Sequence, residues 1–177
     1  MTESVLVTSF RVPSGTLLLG SLGSELVLCD WAGGWHRGTT DARMKRLLRL
    51  PFREGSSPVI ESARSQLGEY FDGSRRQFDL PIRLVGSDFQ QTVWRALLGI
   101  PYGGHETYAG LARRIGRPSA CRAVANAVGA NPMSVIVPCH RVLGLGGKLT
   151  GYGGGLPAKM HLLRLEGIPF DEESADE

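Results

Sequence analysis

Cys139, His140 and Arg141 follow one another inside an otherwise apolar stretch, Ile136-Val137-Pro138-Cys139-His140-Arg141-Val142-Leu143. Two apolar residues enter it, two leave it, and it contains no Gly, so the pattern predicts a short buried strand. A thiol, an imidazole and a guanidinium there need a reason, because buried polar groups cost free energy unless each is satisfied. Cys next to His points to an activated nucleophile, since the thiolate attacks and the thiol does not. Neighbours on a strand face opposite ways, which disfavours a direct Cys139–His140 hydrogen bond and favours proton transfer through a water. Taken alone, the pair fits an inert buried cysteine beside a satisfied histidine at least as well.

Other residues of chemical interest lie downstream. Glu166 ends a predicted helix, Leu156 to Glu166, beside Gly167, where the helix dipole disfavours a carboxylate. An acid kept at that end invites another explanation, such as orienting His140. Glycines near a reactive Cys let the backbone close on a ligand. Gly153 and Gly154 fit that role, whereas Gly144, Gly146 and Gly147 read as plain turns.

The elements that must position these residues are legible from Ser87 onward. Ser87-x-x-Gln90 is a capping box opening a helix with Phe89, Val93, Trp94, Leu97 and Leu98 on its apolar face. Thr107 caps a second helix, Gly116-Arg117-Pro118 turns the chain, and Ser119 caps a third that ends near Gly129. The order helix, short Gly-containing turn, helix predicts a helix-turn-helix with residues 119–128 as its recognition element, although an ordinary helical hairpin gives the same pattern. Val124, Ala127 and Val128 should pack inward, leaving Cys121, Arg122 and Ala125 outside. That outer face lacks the Asn, Gln and Arg set of a major-groove reader and suits close approach to a narrow groove.

Residues 1–86 show no recognisable chemistry. Residues 4–12 and 15–31 read as β-structure, 41–50 and 58–71 as helices, and 78–82 as a short strand. The change of character near residues 83–87 predicts a domain boundary. The expected fold is an α/β N-terminal domain over 1–86, a small antiparallel sheet with a helix. A mainly α winged helix-turn-helix domain over 87–170 follows, then an acidic, disordered tail over 171–177.

Net charge is only +3, yet residues 87–170 hold 9 Lys and Arg against 3 acids, a balance that fits a polyanionic partner such as nucleic acid. Three cysteines (29, 121, 139) are too few for a disulfide framework, and no metal-ligand spacing occurs. No signal-like N-terminus and no run of 18 apolar residues is present, so a cytoplasmic protein without membrane contact is expected.

Pro138-Cys139-His140-Arg141-Val142 resembles the active-site signature of the O6-alkylguanine-DNA alkyltransferases, the methylated-DNA–protein-cysteine methyltransferases. The likeness continues through Arg122-Ala123-Val124, Asn131-Pro132, Gly151-Tyr152-Gly153-Gly154 and Glu166-Gly167, and covers most of residues 87–168 in the family's order. It implies direct repair of O6-alkylguanine, with O4-alkylthymine as a second lesion. Glu166 would hold His140, and His140 would take the Cys139 proton through a water. The thiolate would then attack the alkyl carbon of a flipped base, while Tyr108 protonates N3. The backbones of Cys139 and Val142 would accept from the exocyclic amine, the Gly153 N–H would donate to O6, and Asn131 would brace the turn. Tyr152, Gly154 and Met133 would complete the pocket. The resemblance also implies double-stranded DNA bound through the minor groove with low sequence specificity. Arg122 would fill the gap left by the extruded nucleotide, and Cys121, Ala123 and Tyr108 would lie on the DNA face. The family has Ala where this chain has Cys121. A thioether has no carbonyl for water to attack, so one molecule is consumed per lesion. No cofactor or metal is implied, and the protein is expected to be a monomer whose loading on DNA can be cooperative. Two other classes share some of these features: a Cys-His-Glu hydrolase, which would turn over, and a non-reactive lesion binder, whose relatives lack the Cys retained here.

Overall fold

Three strands open the chain, β1 (Val5–Val12), β2 (Gly15–Leu22) and β3 (Glu25–Trp31), and they pair antiparallel in sequence order. Pro13 cannot donate to a ladder, so the first reversal falls on Pro13-Ser14. The second falls on Gly23-Ser24, with Gly23 at φ 59°, whereas Gly20 stays inside β2 beside a register shift. The structure is a computed structural model, and it describes residues 3–176.

The sheet is not purely antiparallel. A three-residue strand, β4 (Phe52–Glu54), adds parallel to β1 and gives the order β3-β2-β1-β4. Three residues are too few to show an alternating pattern, so nothing in the sequence marks this strand.

Helix α1 (Arg37–Leu48) covers one face of the sheet and α2 (Pro58–Phe71) the other. Val59, Ala63, Leu67 and Tyr70 form the buried stripe of α2, and Ser57 caps it by accepting from the Ile60 N–H. With both faces covered, β3 is buried from Leu26 to Trp31, which explains the apolar run Leu26-Val27-Leu28-Cys29; the one charge in the buried stretch, Asp30, is paired with Arg37. α1 starts four residues before the helical spacing at Asp41, because Arg37 ion-pairs with Asp30 and Asp41. Residues 78–82 form only one bridge, Leu26 to Ile82, rather than a strand.

The remaining helices are α3 (Asp88–Leu98), α4 (Tyr108–Arg114), α5 (Cys121–Gly129) and α6 (Leu156–Glu166), joined by a parallel pair of two-residue strands, β5 (Glu106–Thr107) and β6 (Val142–Leu143). The capping box at Ser87 and Gln90 is formed, and Thr107 caps α4 through the Gly110 N–H. Leu98 is exposed rather than part of the apolar face of α3. α5 begins at Cys121 after Ala120, with no side-chain cap from Ser119. The Trp94 indole donates to the Ala127 carbonyl at 2.8 Å and pins α3 on α5. One apolar core runs from Leu17, Leu26 and Tyr70 to Trp94, Val124 and Val142, so both halves share it.

Residues 171–176, expected from their charge to be disordered, are placed against residues 147–149. Asp171 N donates to the Gly147 carbonyl, Glu172–Asp176 form a 3-10 turn, and the buried Ser174 hydroxyl accepts from Leu149 N at 2.9 Å. Glu177 lies outside the described residues.

Candidate active site

The stretch around Cys139 is not a strand. Cys139–Arg141 form a 3-10 turn, and extended backbone returns only at Val142–Leu143. Pro138 lacks the N–H that a ladder needs, and Val135 stands at φ 71°, a left-handed conformation costly for a β-branched residue. Such strain persists only where the surroundings over-determine it. Here Asn131 does so: its Nδ2 donates to the Val137 carbonyl at 2.9 Å, and its Oδ1 accepts from Met133 N at 2.9 Å. The end of β3 clamps the same segment, with Cys29 N donating to the Pro132 carbonyl and Ser134 N donating to the Cys29 carbonyl.

Below the turn lies a fully buried ionic cluster. Glu166 Oε2 accepts from the Tyr70 hydroxyl at 2.5 Å and lies 2.6 Å from His140 Nε2. Arg141 grips both carboxylate oxygens, Nε to Oε1 at 2.8 Å and a terminal nitrogen to Oε2 at 3.2 Å. Its other terminal nitrogen donates to the Ile100 carbonyl, and Gly103 N donates to Oε1. Burial would raise the Glu166 pKa, but the bonds from His140, Arg141 and Tyr70 outweigh it and hold the carboxyl at about 2. Burial also lowers the His140 pKa, so the imidazole is neutral and its Nε2 carries the proton donated to Glu166. That tautomer leaves Nδ1 as a lone pair, and Nδ1 is buried without a hydrogen-bond partner among the described residues.

Cys139 is 7% exposed. Burial pushes its thiol up, while the Asn131 side chain and the charge of Lys159 pull it down. Lys159 is 1% exposed and donates to the Val142 carbonyl at 2.8 Å. Burial brings its pKa down to about 8.

Above Cys139 lies a cavity of only about 40 Å³, lined by His36, Tyr108, Asn131, Ser134, Tyr152 and Gly153 among others. Tyr108 also faces a groove of about 830 Å³ between α1 and α5, with Trp35, His36 and Arg43 on one side and Cys121, Arg122 and Ala125 on the other. The Tyr108 hydroxyl lies 2.6 Å from Thr150 Oγ1, and burial raises its pKa. Tyr152 is buried, and its hydroxyl accepts from the Trp31 indole at 3.1 Å.

The structure therefore brings Cys139, Asn131, Tyr108, Tyr152 and Gly153 around one cavity, and His140 and Glu166 together in the cluster below it. Met133 and Val142 are fully buried outside the cavity, and Ala123 is an exposed residue of α5. Gly154 packs on Trp31, where a Cβ would come within 2.7 Å of the indole. No sequence pattern marks Lys159 or His36 as part of a site, Tyr70 reads only as a stripe residue of α2, and Arg141 stands out only as a charge in an apolar stretch.

Residues 88–168 match the family model described as "6-O-methylguanine DNA methyltransferase, DNA binding domain". The chain is 46% identical over 177 residues to a methylated-DNA–protein-cysteine methyltransferase of Haemophilus influenzae, covering 96% of this chain and 90% of that one. It is 45% identical over 157 residues to the protein of that name from Mycobacterium tuberculosis, covering 87% of each. Among solved structures it resembles Mycobacterium tuberculosis OGT in complex with DNA, with a TM-score of 0.78 and 39% identity, covering 97% of this chain and 99% of that one.

Proposed function

The chain belongs to the O6-alkylguanine-DNA alkyltransferase family, the methylated-DNA–protein-cysteine methyltransferases, and from that membership we infer that it repairs alkylated DNA by moving the alkyl group onto Cys139. The observation that carries this reading is the buried His140, next to Cys139 in the chain, with Nε2 held 2.6 Å from Glu166 and Nδ1 without a hydrogen-bond partner among the described residues. His140 takes the thiol proton through a water, and the thiolate forms a bond to the alkyl carbon as the carbon–O6 bond breaks. The departing guanine takes a proton at N3 from the Tyr108 hydroxyl, which burial keeps protonated in the resting protein. The proton that His140 took from the thiol then returns through water to the Tyr108 phenolate, so that overall the thiol proton has moved to the guanine. The product is a thioether, which water does not hydrolyse, and each molecule acts once.

DNA recognition follows from the other side of Cys139. α4 and α5 act as a helix-turn-helix, with β6 and residues 144–148 as the wing. The small outer face of α5 enters the minor groove of double-stranded DNA, and Arg122 takes the place of the flipped nucleotide. Arg122 is exposed and lines the groove next to Tyr108, which supports that placement. Contact through phosphates and groove shape gives weak sequence dependence.

Intact mass spectrometry after mixing with a duplex containing O6-methylguanine tests the reaction. The expected result is a mass gain of one methylene on the peptide bearing Cys139, at a stoichiometry of about one. Catalytic conversion of excess lesion, or no gain at Cys139, overturns it.

A further inference from the structure

The cavity over Cys139 is too small for the base that the proposed reaction requires. Its 40 Å³ compares with the roughly 10–15 Å³ that a single water needs and the roughly 300 Å³ or more of ordinary ligand clefts. The groove next to it, at 830 Å³, has room for a nucleoside. Both are lined by Tyr108, Gly151 and His36. Tyr108 and Gly151 belong to the C-terminal half, whereas His36 comes from the N-terminal half.

His36 lies in the link Ala32–His36 between β3 and α1. Its ring fills the space beside Gly153 so closely that a Cβ on Gly153 would overlap it, and a Cβ on Gly34 would come within 2.7 Å of the Gly153 carbonyl. The two segments therefore meet backbone on backbone at Gly34 and through the His36 ring at Gly153. The backbone hydrogen bonds of the link run within it or to β2, β3 and α1 (Ala32 N to Thr16, Gly34 N to Trp31, Arg37 N to Gly34, Thr40 N to His36), and none among the described residues reaches the Gly153 segment. His36 Nδ1 is buried without a hydrogen-bond partner among the described residues, which disfavours the closed arrangement. Trp35 is 81% exposed and meets the His36 ring only edge-on, at 4.9 Å between centroids. The ends of the link, by contrast, are fixed. Trp31 is buried with its indole bonded to Tyr152, and Arg37 is paired with Asp30 at 2.8 Å.

We propose that Trp35 and His36 form a retractable wall of the base pocket, which closes over Cys139 in the free protein and must leave Gly153 before an alkylguanine can enter. The proposal rests on the alkyl-transfer reading. The fixed ends confine the movement to five residues, two of them Gly33 and Gly34. A free base brings no DNA with which to displace the wall, so its entry meets the wall directly.

The test is the second-order rate of benzyl transfer from free O6-benzylguanine, with the modified residue identified by peptide mass and folding checked by thermal melting. Shrinking the wall in His36→Ala should raise the rate at least threefold, and His36→Trp should lower it. Gly34→Ala, which pushes the link off Gly153 without touching His36, should also raise it. Rates on a duplex substrate should change less, so the preference for DNA over free base should fall in His36→Ala and Gly34→Ala. A wild type that reacts at a rate independent of residue 36, or a loss of rate in both folded alanine variants, overturns the wall and leaves the alkyl-transfer reading standing. A wild type that gains no benzyl on Cys139 and no methyl from a lesion-bearing duplex overturns that reading, and the wall with it.

Discussion

The two sides of Cys139 are built on opposite principles. On the inner side, the charged pair Glu166 and Arg141 and the neutral His140 and Tyr70 are buried and almost completely hydrogen-bonded. On the outer side, the groove shared by α1 and α5 is mainly apolar and open, and Trp35 and Arg122 stand in solvent. A buried charge cluster is costly to rearrange, because any lost partner leaves an uncompensated charge in a poorly polarisable medium. The inner side can therefore hold a proton acceptor in fixed geometry. The outer side, with little to lose, can admit a large substrate. Perturbing the inner side should damage stability and chemistry together, whereas perturbing the outer side should alter access alone.

The largest expected effect is on the inner side. Glu166→Gln removes the counter-charge of a buried guanidinium and should destabilise the protein by about 3–5 kcal/mol, with loss of alkyl transfer in whatever remains folded. Equilibrium denaturation in urea measures it. The same carboxylate sets an acid limb. Its pKa in the folded protein, about 2, lies below the ordinary 4.5, so the unfolded chain binds the extra proton first. The stabilisation is complete above pH 4.5 and is lost as the pH falls toward 2, an effect of roughly 3 kcal/mol at about 1.36 kcal/mol per pH unit. Denaturation midpoints from pH 6 down to pH 3 should show the start of this loss, and the limb should flatten in Glu166→Gln.

Tyr70 sharpens the comparison, because it brings the N-terminal half into the inner side. Its hydroxyl is one of three groups on Glu166 Oε2, beside His140 and Arg141. Tyr70→Phe should therefore cost only about 1–2 kcal/mol. The melting temperature reports it directly, and a cost as large as that of Glu166→Gln would show that the cluster fails as a unit once any member goes.

What the sequence made legible divides along the same line. α2 and α6 have the ends that their caps and periodicity predict, and the capping box at Ser87 formed, because these signals act over a few residues. Cys139, His140 and Glu166 were nominated together by resemblance, and they meet. The rest depends on contacts distant in sequence. Tyr70 and Glu166 are 96 residues apart, and Tyr70 reads as an ordinary stripe residue of α2. Lys159 lies on a helix that would normally expose it, and only the packed structure shows it buried against the Val142 carbonyl. The misread strand at 136–143 failed because apolar content alone does not separate a buried strand from a buried turn. The tail was judged by its charge, while Ser174 and the backbone of Asp171 bond to residues 147–149.

Arg122 gives the smallest expected effect on stability and the cleanest separation of the two sides. It is exposed near the start of α5 and makes no side-chain hydrogen bond or ion pair among the described residues. Arg122→Ala should therefore leave stability within about 0.5 kcal/mol of the wild type. The inner side is untouched, so the rate with a free O6-alkylguanine base should also stay the same. Repair of the lesion in a duplex should slow by about tenfold, equivalent to about 1.4 kcal/mol, because a flipped base then has nothing to replace it in the stack. Single-turnover rates on the two substrates separate the cases. Equal losses on both would place Arg122 in the chemistry rather than in access, and the division between the two sides of Cys139 would fail at its outermost residue.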